Sequence, residues 1–358
     1  MTSSPELLAA VEGGGTSFVV VFSLISSPSV CIHKYECPTT TPTETLDKVK
    51  QFLSLHPYKA LGVATFGPVD LNPASPTYGY IQQTPKANWS NTDVLTPLIQ
   101  VNPSAPYKFD TDVNAPALLE YTTLPPPASS VAYVTVGTGV GVGLCINGSP
   151  VHGLMHPEGG HVPIVPLPGD DFPGYSWGGR CPWKGVSTVE SFAGGVGILE
   201  RLGKDASNSE DRSILRGLSD DDEVWDHVAN ALACLCATLT LTCSVERIVL
   251  SGGVMLRECL WGKVRVRLRE ILNGYVGREE VTTEEGLERF IVKSRWGNDA
   301  GKIGALHLAK LAWEEGEGGG RGEGGEMGGG GWGKGMGCLT LGVGIGVGVG
   351  WGLWGRKK

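Results

Sequence analysis

No CxxC pair occurs among the nine cysteines of this chain, and their number is odd and their spacing irregular. That pattern argues against a disulfide scaffold and for a reducing compartment, so a cytoplasmic protein is expected. Excess positive charge is missing as well. The formal net charge is −8, which speaks against a nucleic-acid partner. The opening stretch MTSSPELLAAVEGGGT has neither a basic n-region nor an apolar h-region, so no secretory leader is expected. No GxxxxGK(S/T) run is present, which excludes a P-loop nucleotide site.

What is present is a chain of 358 residues, 41% hydrophobic and 18% charged, long enough for a large core or two domains. Of its 54 glycines 21 lie beyond Glu315, so the tail reads apart from the body. Leu7 to Val11 reads as a strand, Gly13-Gly14-Gly15-Thr16 as a tight turn, and Phe18 to Phe22 as a second strand. A Pro/Thr-rich link precedes a helix over Glu44 to Leu55, and Ala60 to Thr65 reads as a buried strand. Tyr107 to Phe109 leads through Asp110-Thr111-Asp112-Val113-Asn114 into a helix ending at Tyr121. After the Pro-rich break at 124–130, Val131 to Val136, the turn Gly137-Thr138-Gly139 and Val140 to Ile146 repeat the opening hairpin. The stretch from His152 to Gly195 reads as a long functional loop. Beyond it, helices are expected at about 188–203, 222–243, 260–275 and 299–314, with a strand at Arg247 to Leu250 before Ser251-Gly252-Gly253. Alternating strands and helices give an α/β fold, and two similar halves suggest a duplicated domain with a central cleft.

Glycine turns bare of side chains expose backbone N–H groups that attract anions. The candidates are Gly14, Gly15 and Thr16, then Gly137, Thr138 and Gly139, then Gly252 and Gly253 ahead of a helix. The GTGVGVG run lies between two strands, so a dinucleotide site there is a weak reading. Asp112 stands at a strand-to-helix junction, where it can serve as a base or as a helix cap, with Asp110 the weaker candidate. His156, Glu158 and His161 form a polar cluster, with Glu190 further on, suited to gripping hydroxyl pairs or to a metal.

Across residues 8–312 the ordered motifs resemble the ROK family of sugar kinases, most closely its bacterial-type fructokinases. They are Glu12-Gly13-Gly14-Gly15-Thr16, Phe66-Gly67-Pro68-Val69-Asp70, Tyr78-Gly79 through Thr84-Pro85-Lys86-Ala87, and Thr111-Asp112-Val113-Asn114-Ala115. They continue as Gly137-Thr138-Gly139-Val140-Gly141, His156-Pro157-Glu158-x-Gly-His161, Ser251-Gly252-Gly253-Val254-Met255 and Gly297-Asn298-Asp299-Ala300-Gly301. The resemblance implies a two-lobed, actin-like (ribonuclease H-like) ATPase fold. Its lobes would span 1–122 and 123–296, with a helix over 297–314 returning to the first lobe. It implies ATP and Mg²⁺ as cofactors and phosphorylation of a hexose, fructose to fructose 6-phosphate. A glucose, mannose or N-acetylhexosamine kinase, or a non-catalytic sugar-binding regulator, are the alternatives. Asp112 would be the catalytic base, Asn114, Glu158, His161 and Glu190 would hold the sugar, and the three glycine turns would hold ATP.

Two departures stand out. Family members hold a structural zinc through His and Cys ligands, but here only His161 and Cys181 match, and Lys184 occupies a ligand position. Two ligands fall short of a closed tetrahedral site, so the zinc site is expected to be degenerate. Ser17 also replaces the lysine usual after the first turn. The tail divides into a Gly/Glu-rich segment over 315–337, expected to be disordered, and an uncharged Gly-rich segment over 338–358. The latter is of just sufficient length for a membrane anchor, though its glycines lower helix propensity. A homodimer is compatible with this reading.

Overall fold

The structure is a computed structural model, and it describes residues 6–125, 128–175, 187–205 and 209–318. Contacts group Met1–Gly319 as one unit and Gly320–Lys358 as another. The second unit, with the expected membrane anchor, lies outside the described residues. So do Cys181 and Lys184, the positions that bear on zinc.

Two five-stranded sheets share one topology. In the first, Leu7–Gly13 pairs antiparallel with Ser17–Leu24, and that strand with Ser27–Pro38. On its other side Leu7–Gly13 pairs parallel with Ala60–Thr65, which pairs parallel with Tyr107–Thr111. The second sheet repeats the order. Ser130–Val136 and Val140–Ile146 form the hairpin, Ser149–Pro150 adds an edge, and Ile248–Ser251 and Ile291–Lys293 add two parallel strands. This is the expected α/β fold of two matched halves.

Period-two alternation decides where each strand's side chains go. Leu7, Ala9 and Val11 face one core with Leu46, Val49 and Leu53 of the helix Pro42–Leu53. Leu8 and Ala10 face the opposite way, into a layer shared by both sheets. From the second sheet, Val131 and Tyr133 enter that layer, while Ala132, Val134 and Val136 face an outer core. Two helices fill the shared layer, Asn114–Tyr121 and Ala300–Gly318. The helix Val224–Cys243 lies in the outer core of the second half. It is the one helix among the described residues long and apolar enough to cross a membrane, and 67% of that span is buried.

Several boundaries differ from the sequence expectation. The Pro/Thr-rich link contains a twelve-residue strand, Ser27–Pro38, at the sheet edge and largely exposed. Its pattern carries no buried face, so hydrophobic alternation could not reveal it. The expected helix at 188–203 is two helices, Val189–Ala193 and Gly195–Arg201, separated at Gly194, whose backbone is extended. The last helix runs on to Gly318, past the expected linker start at 315, and Glu315 is paired with Lys108 at 2.8 Å.

The last helix approaches the first sheet closely because Gly62 has no side chain. A Cβ there would stand 1.9 Å from the Ala305 carbonyl oxygen. Gly62→Ala is expected to destabilise the protein by about 3 kcal/mol through overpacking against backbone. Gly262 sits inside the helix Cys259–Leu272 with open space around it, so Gly262→Ala should stabilise by roughly 0.5–1 kcal/mol. Urea unfolding of the two variants checks both signs.

Candidate active site

The first glycine turn caps the hairpin of the first sheet. Gly14 N–H donates to Ser17 O at 2.9 Å, Thr39 Oγ1 donates to Gly14 O at 2.7 Å, and Thr39 N–H to Thr16 O at 2.9 Å. Its carbonyls are therefore held by the protein, while Gly15 and Thr16 are exposed at the tip. Space is critical at Gly13, whose Cβ would meet the Phe18 ring at 2.7 Å, and not at Gly15, where it would meet nothing. The matching turn of the second sheet rests on the helix Gly195–Arg201, with Gly195 N–H donating to Gly137 O at 2.8 Å. The third turn needs its glycine. Gly252 has a φ of +95°, and a Cβ there would stand 2.4 Å from Val136 O.

Asp112 follows the strand Tyr107–Thr111, and its N–H extends that strand's ladder by donating to Thr65 O at 3.0 Å. The chain then turns into the helix Asn114–Tyr121. Two glycines of the second hairpin admit this turn. A Cβ on Gly141 would stand 2.8 Å from Val113 Cγ1, and one on Gly143 would stand 2.0 Å from Val113 O. The alternating glycines of the GTGVGVG run thus seat the Asp112 segment, which gives them a role apart from nucleotide binding.

Around Asp112 the structure gathers Glu158, His161 and Glu190. Glu190 Oε2 accepts from Val140 N–H at 2.9 Å, and His161 Nε2 lies 3.7 Å from Glu158 Oε2. Burial pushes the Asp112 carboxyl up to about 7. Burial, helped by the charges of Glu190 and Asp112, pushes Glu158 up to about 7 as well. His161 is held below the usual imidazole range by burial, against the pull of Glu190.

Asn114 departs from the sequence reading. It is fully buried, its Nδ2 donates to Asp110 Oδ1 at 2.9 Å, and its Oδ1 accepts from Leu144 N–H at 3.3 Å. With both ends of its amide engaged, this side chain braces the segment. Asp110 is also committed: Oδ1 additionally accepts from Thr111 N–H at 2.7 Å, and Oδ2 lies 3.0 Å from His152 Nε2. Gly139 differs too. Its Cβ would stand 2.2 Å from Glu190 Oε2, so the missing side chain makes room for that carboxylate.

The sequence does not single out Glu12, and for His156, a member of the expected polar cluster, the structure shows a bracing role. Glu12 is the penultimate residue of the first strand, and burial pushes it up to about 8, with the Asp112 charge adding to the effect and Lys302 opposing it. A Cβ on Gly301 would stand 1.9 Å from Glu12 Oε1, so Gly301 opens space for this acid. His156 is buried, and its Nε2 accepts from Val69 N–H at 3.0 Å, which leaves the proton on Nδ1 beside Pro157 O at 3.2 Å. It ties the Glu158 loop to the first half. In the sequence Glu12 stands only as part of a glycine motif, while His156 stands in the polar cluster, with its tie to Val69 hidden 87 positions away. Among the described residues no group of three or more His, Cys, Asp or Glu could hold a metal by itself.

A sequence profile of the ROK family matches residues 8–312, and the chain belongs to that family. The fructokinase of Zymomonas mobilis subsp. mobilis is 37% identical over 320 residues, covering 87% of this chain and 99% of that protein. The fructokinase of Pediococcus pentosaceus is 35% identical over 308 residues, covering 86% and 98%. A ROK family glucokinase from Streptomyces griseus, solved with glucose and AMPPNP, superposes with a TM-score of 0.62 at 20% identity. It covers 86% of this chain and 100% of its own, and the likeness shows the fold to be that of the actin-like sugar kinases.

The acid cluster makes stability depend on pH. Glu12, Asp112 and Glu158 hold protons in the folded chain at pH values where the unfolded chain has released them. Stability therefore falls as pH rises towards the folded values. His156, His161 and His307 act oppositely, but only below the ordinary histidine range. Melting of the ligand-free protein should accordingly drop by several degrees between about pH 6.5 and pH 8.5. Glu12→Gln should flatten that slope in differential scanning calorimetry.

Proposed function

We propose that this chain moves the γ-phosphoryl group of ATP to a hydroxyl of D-fructose, giving fructose 6-phosphate, with Asp112 as general base. The chain is a sugar kinase of the fructokinase type, as its identity to two fructokinases over nearly their whole lengths supports. The observation that carries the chemical assignment is the Asp112 carboxyl, partly exposed and raised to about 7, beside the Glu158–His161–Glu190 cluster. A base is most effective when its pKa lies near the operating pH.

In this reading Glu158, His161 and Glu190 grip sugar hydroxyls. Asp112 takes the proton of the accepting hydroxyl as its oxygen bonds to the γ-phosphorus, and the bond from that phosphorus to the bridging oxygen of ADP breaks. The turns at Gly14–Thr16, Gly137–Gly139 and Gly252–Gly253 are the proposed nucleotide contacts. Of these, Gly139 acts by accommodating Glu190. Glu12 fits a hard cation, because its buried carboxyl is poorly neutralised by the protein, and Mg²⁺ is commonly held by one or two carboxylates plus substrate phosphates. Bound there with ATP, it would offset phosphate charge. The seven described cysteines are all free, which supports a reducing, cytoplasmic setting.

Asp112→Asn keeps the size and removes the proton acceptor. Its kcat with fructose should fall on the order of 10²–10⁴-fold, with the sugar KM little changed. Near-normal turnover in a coupled ADP assay would defeat the assignment. Gly139→Ala should push Glu190 aside, raising the fructose KM by roughly tenfold while the ATP KM moves less. Steady-state kinetics over both substrates reads the split, and a rise confined to ATP would reverse the role given to Gly139.

A further inference from the structure

The first turn carries no cation of its own. The residue after it, Ser17, directs its hydroxyl away to Glu36 Oε1 at 3.0 Å. A cation nonetheless reaches the turn from 71 positions along the chain, since Lys86 Nζ donates to Gly15 O at 2.5 Å.

Lys86 is carried there by a tight loop. Thr84 N–H donates to Ser90 Oγ at 3.1 Å, Lys86 N–H to Thr84 Oγ1 at 3.3 Å, and Trp89 N–H to Lys86 O at 3.2 Å. Trp89 anchors the loop. It is fully buried, its ring stacks on Phe18 with centroids 5.4 Å apart, and its Nε1 donates to Thr40 O at 2.8 Å. Phe18 and Thr40 belong to the chain that frames the turn, so loop and turn are held as one body.

The ammonium is half-buried, and burial alone lowers its proton affinity. Among the described residues no carboxylate pairs with it. Lys302, the cation near Glu12, is by contrast already paired with Asp299. An ammonium has three donors, and Gly15 takes one. A poorly solvated cation with donors to spare, beside an exposed glycine tip, matches the oxygens of a phosphoryl group.

We propose that Lys86 contacts the terminal phosphoryl group of the nucleotide held at the Gly14–Thr16 turn. The proposal rests on that turn being a phosphate site, as argued above. Lys86 thereby supplies the positive charge that the turn's own sequence omits.

The test is calorimetric binding of AMPPNP and of adenosine to the full chain, wild type, Lys86→Met, Lys86→Gln and Lys86→Arg. Loss of one charge-assisted contact should weaken AMPPNP by roughly 10- to 100-fold in the Met and Gln variants. Adenosine binding should change less than about twofold, since it has no phosphate. Lys86→Arg should recover most of the AMPPNP affinity. Equal losses for both ligands would mean that Lys86 only shapes the turn, and no loss for either would mean that it touches no phosphate. Both results overturn the proposal while leaving wild-type phosphorylation of fructose, measured in parallel, to stand or fall by itself. A wild type that bound no AMPPNP would remove the kinase reading and this proposal with it.

Discussion

Val113 and Asn114 lie against the bare α-carbons of Gly141 and Gly143, so the segment bearing Asp112 is packed on the backbone of the opposite half. The rest of the site follows from that contact. Asp112 belongs to the first sheet by its hydrogen bond to Thr65 and to the second half by the seat beneath it. Asn114 secures the junction by bonding Asp110 within its own half and Leu144 across from it. Interiors are close-packed and transmit small displacements, so one side chain added at Gly143 would shift the proposed base relative to Glu190. The shared layer of two helices packs buried apolar side chains around this junction.

Charge is the second constraint. Glu12, Asp112 and Glu158 are acids brought close enough together that each raised value owes part of its rise to burial, and two of them part to a neighbouring acid. Gathering carboxylates disfavours their ionised forms. A site built this way is strained in isolation and relieved by what enters it, whether hydroxyl donors on the sugar side or positive charge on the nucleotide side. The two histidines of the cluster remain below their ordinary range because they are buried, so they offer neutral rings rather than counter-charge.

Much of this was legible in the sequence, and the reason is local. Two hairpins with apolar strands and glycine turns announce themselves through short-range pattern, and their recurrence implies duplication. Asp112, Glu158 and His161 stand out in the sequence through short motifs with fixed offsets, and the structure brings them together with Glu190. What escaped detection depends on distance. The strand Ser27–Pro38 is an exposed edge without alternation. The bracing role of Asn114 depends on Leu144, thirty residues away, and the service of Gly139 to Glu190 depends on a contact fifty-one residues away. Lys86 sat in plain view within a motif, but only the fold brings it to Gly15.

The return of the helix Ala300–Gly318 to the first sheet has a consequence for how the protein is made. Ile303, Leu306 and Ala309 complete a core whose other wall includes Leu8, Ala10 and Ala64. During synthesis that wall has emerged by Ala64, and its cover begins at Ile303, about 240 residues later, or roughly 12–48 s at about 5–20 residues per second. Throughout that interval the nascent chain presents an uncovered apolar sheet face. The first half therefore completes its core only once the helix Ala300–Gly318 has been made.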